Sequence, residues 1–208
     1  MKNVVIIDYG VGNLGSLRRA FSPLCNVTIS EEKELIASAD AIVLPGVGAF
    51  AAGMEGLRVR NLIETLKEAA TRNVPMLGIC LGAQLFLEKG HEFGEHDGLG
   101  LIPGEVVHFS TIAQKATVPI IIGWQKISPA EENTAPELFA GLDTPFMYFV
   151  HSYIIRPTNA EHILAETTYN ETNYCAMVRS GVILGTQFHP EKSGESGLRL
   201  LRNFVERI

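Results

Sequence analysis

The chain is 208 residues long, 46% hydrophobic and 19% charged, so it carries enough apolar surface for a buried core and is neither disordered nor low in complexity. Its length fits one compact domain over residues 1–208 rather than two small ones. A net charge of −6, from 17 Lys and Arg against 23 Asp and Glu, leaves no basic footprint for nucleic acid or an anionic membrane and points to small molecules or proteins as partners.

The N-terminus runs through Met-Lys-Asn directly into a strand-like segment, without a signal-peptide core. The longest uncharged apolar stretches, Ala41 to Met54 and Val74 to Leu87, contain Pro and Gly and fall short of the ~18 residues of a membrane span. Cys25, Cys80 and Cys175 are widely spaced and lack a Cys-x-x-Cys pattern, which argues against a disulfide frame or a zinc site. A cytosolic protein without a metal or other cofactor is expected.

Apolar, β-branched runs at Val4–Ile7, Val27–Ile29, Ile42–Leu44 and Met76–Ile79 alternate with helical patterns around Arg18, Glu34 and Glu64. That alternation predicts βαβ units and a parallel sheet. Ser30 reads as the N-cap of the second helix, with Glu31 and Glu32 in its first turn. Beyond Gly98 strand candidates crowd together at Glu105–Phe109, Thr117–Ile122, Phe146–Val150, Ile163–Thr167 and Val182–Phe188, predicting an antiparallel, strand-rich second half. Ser193 reads as the N-cap of a last helix that presents Leu198, Leu201, Val205 and Ile208 along one face. The fold class expected is therefore α/β, a mostly parallel central sheet flanked by helices.

Two motifs are set aside. Gly10-Val-Gly12-Asn-Leu-Gly15 has the Gly-x-Gly-x-x-Gly form, but Asp8 and Tyr9 separate it from the strand, whereas a dinucleotide site starts its glycine turn at the strand end. His91-Glu92-Phe-Gly-Glu95-His96 matches neither order of the helical zinc-protease signature, and its glycines oppose a helix, so it reads as a polar loop. Cys25, Cys175, His108 and His162 have no motif around them.

The informative segment is Gly78-Ile-Cys80-Leu-Gly82, where an apolar strand gives way to a helical pattern through a cysteine with glycine two residues to either side. This is a nucleophile elbow with Cys in place of Ser: the glycines permit a sharp turn that lifts the sulfur to a helix N-terminus, where thiolate is favoured. A thiol nucleophile needs a base, and Phe188-His189-Pro190-Glu191 follows an apolar run. In extended chain His189 and Glu191 lie on one side, so Glu191 can orient the imidazole and complete a Cys-His-Glu triad. The Leu81 N–H, next to the nucleophile, is by position an oxyanion donor. Pro45-Gly46-Val47-Gly48, at the end of the third strand, could supply the second or be an ordinary strand-terminating turn.

These motifs together resemble the triad (class I) glutamine amidotransferases. Asp8–Asn13, Leu44–Phe50, Gly98–Gly104, Tyr148–Tyr153 and Gln187–Ser193 are most similar to the amidotransferase subunits of imidazole glycerol phosphate synthases, along the whole chain. The resemblance implies that Cys80 attacks the side-chain amide of glutamine, with His189 relaying the proton and Glu191 steadying it. It implies Val47 and Leu81 as oxyanion donors, and Gly48, Gln84, Ser152 and Tyr153 as glutamine-binding positions. It further implies a (β/α)8-barrel cyclase partner that takes the ammonia for histidine biosynthesis, met through Asn13, Trp124, Tyr148 and His151.

One segment departs from the family, which usually reads Pro-His-Met-Gly-Trp-Asn where this chain has Pro119-Ile-Ile-Ile-Gly123-Trp124-Gln125. His and Met become Ile121 and Ile122, Asn becomes Gln125, and one extra residue follows Pro119. The departure touches docking rather than catalysis. It keeps open a paralogue that feeds ammonia to another acceptor, such as a surface-polysaccharide sugar; an inactive regulatory binding module is the remaining alternative.

Overall fold

A computed structural model describes residues 1–113, 120–130, 135–143 and 145–208; Pro119 and the first part of the strand expected at Thr117–Ile122 lie outside them. In chain order the described residues form β1 (Asn3–Ile7), α1 (Leu14–Phe21), β2 (Asn26–Ser30), α2 (Lys33–Ala37), β3 (Ala41–Leu44), α3 (Phe50–Val59), α4 (Ile63–Thr71), β4 (Met76–Ile79) and α5 (Leu81–Gln84). Then come β5 (Leu87–Gly90), β6 (His96–Asp97), β7 (Ile102–His108), β8 (Ile121–Pro129), β9 (Phe146–His151) and β10 (Tyr153–Pro157). The chain closes with β11 (Ile163–Tyr169), β12 (Thr172–Ser180), β13 (Ile183–Thr186) and α6 (Gly194–Val205).

Nine strands make one sheet in the order β2-β1-β3-β4-β13-β12-β11-β8-β9. From β2 to β13 every pairing is parallel, and from β13 to β9 every pairing is antiparallel, which is the expected change of character between the two halves. Strands β3, β4 and β13 are buried at every residue, as parallel strands covered on both faces must be. Side-chain alternation sends Val4, Ile6, Val43 and Leu77 to a core on one face, and Val5, Ile7, Ile42 and Met76 to a core on the other. A smaller sheet, β10-β7-β5-β6, was not expected; of its strands β7 overlaps the candidate read at Glu105–Phe109.

Two local expectations are corrected and a third is refined. Glu32, not Ser30, is the cap residue of α2; the Ser30 hydroxyl instead accepts from the Glu32 N–H at 2.9 Å, forming a turn one step earlier. Ser193 is the N-cap residue of α6 as expected, with its hydroxyl engaged elsewhere, donating to the His189 carbonyl at 2.6 Å and accepting from the Tyr148 N–H at 2.9 Å. On α6 Leu198 is exposed, and the packed face is Leu200, Leu201, Phe204 and Val205. Among the described residues no helix is long and apolar enough to cross a membrane.

Candidate active site

Strands β3, β4 and β13 are neighbours, and beyond their C-terminal ends lie Pro45–Gly48, Cys80 and His189 respectively. Functional residues in open α/β sheets gather at this edge, because loops leaving adjacent parallel strands converge there. The glycines on these loops are dictated by contact. A Cβ on Gly82 would stand 1.8 Å from the Leu44 carbonyl oxygen, and one on Gly46 would stand 2.6 Å from the Tyr9 hydroxyl and 2.8 Å from Leu81 Cβ. The elbow and the Pro45–Gly48 loop are thus packed backbone to backbone.

Cys80 sits at the turn with φ +53°, a left-handed conformation costly for a residue with a side chain. Its N–H donates to the Thr186 carbonyl of β13 at 2.7 Å, and its carbonyl receives the Gln84 N–H at 3.1 Å. The helix that follows is a single turn, Leu81–Gln84, shorter than the pattern suggested, so no long helix dipole stands behind the sulfur. The other two thiols are unsuited to attack: burial pushes Cys25 up to about 11 and raises Cys175 further, and neither follows the C-terminal end of a strand.

His189 follows β13, and its Nδ1 lies 2.9 Å from Glu191 Oε1, with both side chains 2% exposed. Its Nε2 has no conventional hydrogen-bond partner among the described residues and faces the Cys80 thiol. Burial alone would depress the imidazole pKa. The interactions with Cys80 and Glu191 outweigh burial and raise it to about 9, so this histidine holds a proton through neutrality.

Cys80 opens into a cleft of about 420 Å3 lined by Val47, Gly48, Ala49, Leu81, Gln84, Glu92 and the Val150–Tyr153 segment. Gly48 is at φ +102°, with open space where a Cβ would stand. Gln84 is buried and spends both amide protons on the protein, donating to the Tyr153 carbonyl at 3.0 Å and to Gln187 Oε1 at 3.2 Å, so what it can offer a ligand is its oxygen. The Ser152 carbonyl likewise receives the Phe109 N–H at 2.9 Å.

A comparison with protein families matches residues 5–208 to the glutamine amidotransferase class-I model. The chain is 44% identical to the imidazole glycerol phosphate synthase subunit HisH of Lactococcus lactis, over all of both chains. It is also 44% identical to that of Carboxydothermus hydrogenoformans, over 98% of this chain and 99% of the relative. The chain belongs to the class-I glutamine amidotransferases, in the branch of the HisH subunits. Solved structures agree on the fold: a glutamine amidotransferase crystal structure superposes with a TM-score of 0.73 over 97% of both chains at 20% identity. The PurLQS structure from Thermotoga maritima gives 0.74 over 100% of this chain and 99% of that one, at 17% identity.

The positions expected at the amidotransferase's partner face separate. Trp124 is 55% exposed and packs edge-on against half-buried Tyr148, with ring centroids 6.0 Å apart. Asn13 caps α1, its side-chain oxygen accepting from the Ser16 N–H at 3.2 Å. His151, by contrast, is not on the surface: its ring is buried and lines the cleft. The segment Ile121–Gln125 also divides, because alternation along β8 buries Ile121 and Gln125 and leaves Ile122 and Trp124 outside.

Three residues of the site escaped sequence reasoning. Gln187, fully buried, points its amide nitrogen at Cys80 Sγ from 3.9 Å; two residues before His189 in extended chain, it lies on the same side, and that spacing was a usable signal. His151 is the second, expected only as a partner contact, while its ring lines the cleft. The third is Glu92, from the loop read as polar filler. Its carboxylate accepts from the Phe50 N–H at the start of α3 at 2.8 Å and lines the cleft, and no local pattern announces that return.

Proposed function

We propose that this chain hydrolyses glutamine and delivers the ammonia to a (β/α)8-barrel cyclase that builds imidazole glycerol phosphate in histidine biosynthesis. The observation that carries the hydrolytic part is the strained Cys80 at the mouth of the cleft with the His189–Glu191 pair behind it. The Cys80 sulfur attacks the amide carbon of the glutamine side chain and the carbonyl electron pair moves to oxygen, facing the Leu81 N–H and a second donor from Val47. Collapse breaks the C–N bond, and the nitrogen leaves as ammonia with the proton that His189 gives up, leaving a γ-glutamyl thioester. Water then gives its proton to His189 and adds to the thioester, and collapse returns the sulfur and releases glutamate.

Recognition of glutamine falls to the rest of the cleft. The Gln84 oxygen, Gly48 and the Ser152–Tyr153 backbone surround the ligand, and Glu92 supplies the negative charge that a substrate ammonium needs. Burial, and then the Glu92 carboxylate, hold the Tyr153 phenol above its ordinary pKa, which places the carboxylate's field across the cleft. Glu92→Gln keeps the shape and removes the charge. It is expected to raise KM for glutamine by about tenfold or more in a steady-state glutaminase assay, with kcat changed far less.

The partner's side is supported by an exposed apolar patch on β8 and β9, where Ile122, Trp124 and Phe146 are 59%, 55% and 51% exposed. Trp124 and Tyr148 belong to this face, with Asn13 as a further contact. The free cysteines fit a reducing cytosol. The test is glutamate release by the full chain with and without the cyclase and its nucleotide substrate. The isolated chain should be slow and the complex at least about 100-fold faster, the size of one oxyanion donor. No release in either state would end the glutaminase reading, and full activity without partner would mean a preformed oxyanion hole.

A further inference from the structure

A buried chain of polar groups runs from the cleft to β8, and the triad makes no use of it. His151 Nδ1 lies 3.0 Å from the Tyr153 carbonyl oxygen, and its Nε2 lies 3.3 Å from the Tyr174 hydroxyl. The Tyr174 hydroxyl lies 3.0 Å from Gln125 Oε1, which is also 3.3 Å from the Thr167 hydroxyl. Gln125 Nε2 is buried with no partner among the described residues. Each member is at most 9% exposed, and an unpaired buried N–H is costly.

Placing the protons resolves it. A carbonyl only accepts, so His151 carries its proton on Nδ1 and presents a lone pair at Nε2. That lone pair needs a donor, and the Tyr174 hydroxyl has one proton, which it cannot also give to Gln125. A half-turn of the Gln125 amide satisfies every proton: its nitrogen then donates to the Tyr174 and Thr167 oxygens, Tyr174 donates to His151, and Thr167 donates to the Lys126 carbonyl at 2.8 Å. Burial depresses the His151 pKa to about 3, so the ring is the neutral one this scheme requires.

We infer that His151 is a positioning residue for the glutamine pocket, its Nδ1–H tautomer set by the Tyr153 carbonyl and its ring held in place by the Gln125–Tyr174 relay, so that it and Gln84 together fix that carbonyl. That carbonyl receives both donors at 3.0 Å, one from α5 and one from β9, which locks the Ser152–Tyr153 turn forming one wall of the cleft. The same turn follows Val150, whose carbonyl lies 4.0 Å from Cys80 Sγ, so its placement sets where a substrate lies relative to the sulfur. This role deepens the glutaminase reading and depends on it for its kinetic consequence, though not for the tautomer.

Two measurements test it. In the full chain with 15N-labelled histidine, assigned by comparison with His151→Gln, the His151 ring should show a protonated Nδ1 and an unprotonated Nε2. In Tyr174→Phe, which keeps the ring that packs against Phe149 and Phe109 and deletes only the hydroxyl, Nδ1 should stay protonated while the unprotonated Nε2 loses its donor and its 15N resonance moves downfield. In the complex with its cyclase, Tyr174→Phe should raise KM for glutamine about tenfold while kcat stays within about threefold. A proton on Nε2 in the wild-type chain, an unchanged KM in Tyr174→Phe, or a loss confined to kcat would each overturn the inference. A wild-type complex without glutaminase activity would instead overturn the functional reading, and a proton on Nδ1 would still uphold the relay.

Discussion

Cys80→Ala is expected to lose glutamine hydrolysis by about 10^4- to 10^6-fold, the scale at which a covalent nucleophile's removal leaves only binding and oxyanion stabilisation. No other thiol can substitute, since Cys25 and Cys175 are buried in core positions and held protonated. Cys80→Ser should fare little better, because a hydroxyl beside this histidine lacks the thiolate character that the pair stabilises. The fold should persist in both, and removing the thiol leaves the Cys80 N–H bond to Thr186 in place. The discriminating measurement supplies ammonium salts instead of glutamine to the variant in complex with its cyclase. Product should form at the wild-type ammonia-dependent rate, since the acceptor chemistry belongs to the other subunit. Glutaminase activity near wild type in Cys80→Ala would remove the basis of the functional assignment.

His189→Asn should approach the severity of Cys80→Ala, and Glu191→Gln should be about ten- to a hundredfold milder, because the orienting acid is the least severe loss in a triad. The pH profile separates their roles. The imidazole's pKa is raised to about 9 in part because the Glu191 carboxylate favours its charged form. The charged form is the acid that protonates departing ammonia, so kcat/KM of the wild-type protein should fall as pH rises through about 9. Glu191→Gln removes a negative neighbour and lowers that pKa, so its alkaline fall should begin nearer neutrality. An alkaline limb that stays in place, or a Glu191→Gln protein less active than His189→Asn, would dissociate Glu191 from the base.

Much of this was legible before any coordinates, and the reasons are local. Val4–Ile7, Ile42–Leu44 and Met76–Ile79 are central parallel strands, whose uniform apolarity reports burial on both faces. The elbow was legible because a left-handed cysteine at a close contact demands glycine at Gly82, and sequence records such demands. Helix α3 was not, since Gly53 and Gly56 weaken its helical signature. Gly56 is there because a Cβ would stand 2.5 Å from the Tyr9 carbonyl oxygen, a tertiary reason invisible to a local window. Strand β5 was masked by the helical pattern expected to continue past Gln84. The burial of His151 was hidden for a related reason: alternation reveals two faces of a strand but not which one is solvated.

The sheet order also bears on how the chain is made. Strand β13 lies between β4 and β12, so during synthesis the edge of β4 that will pair with Ile183–Thr186 stays open until almost the whole chain has emerged. Until then the nascent protein displays an unpaired, wholly apolar strand of the kind that templates aggregation. The nucleophile is translated more than a hundred residues before its base, so a chain that stops short of His189 has no triad. Arrival of the last strand both seals that edge and brings the base and its carboxylate to the nucleophile, so the same late event completes the fold and the triad.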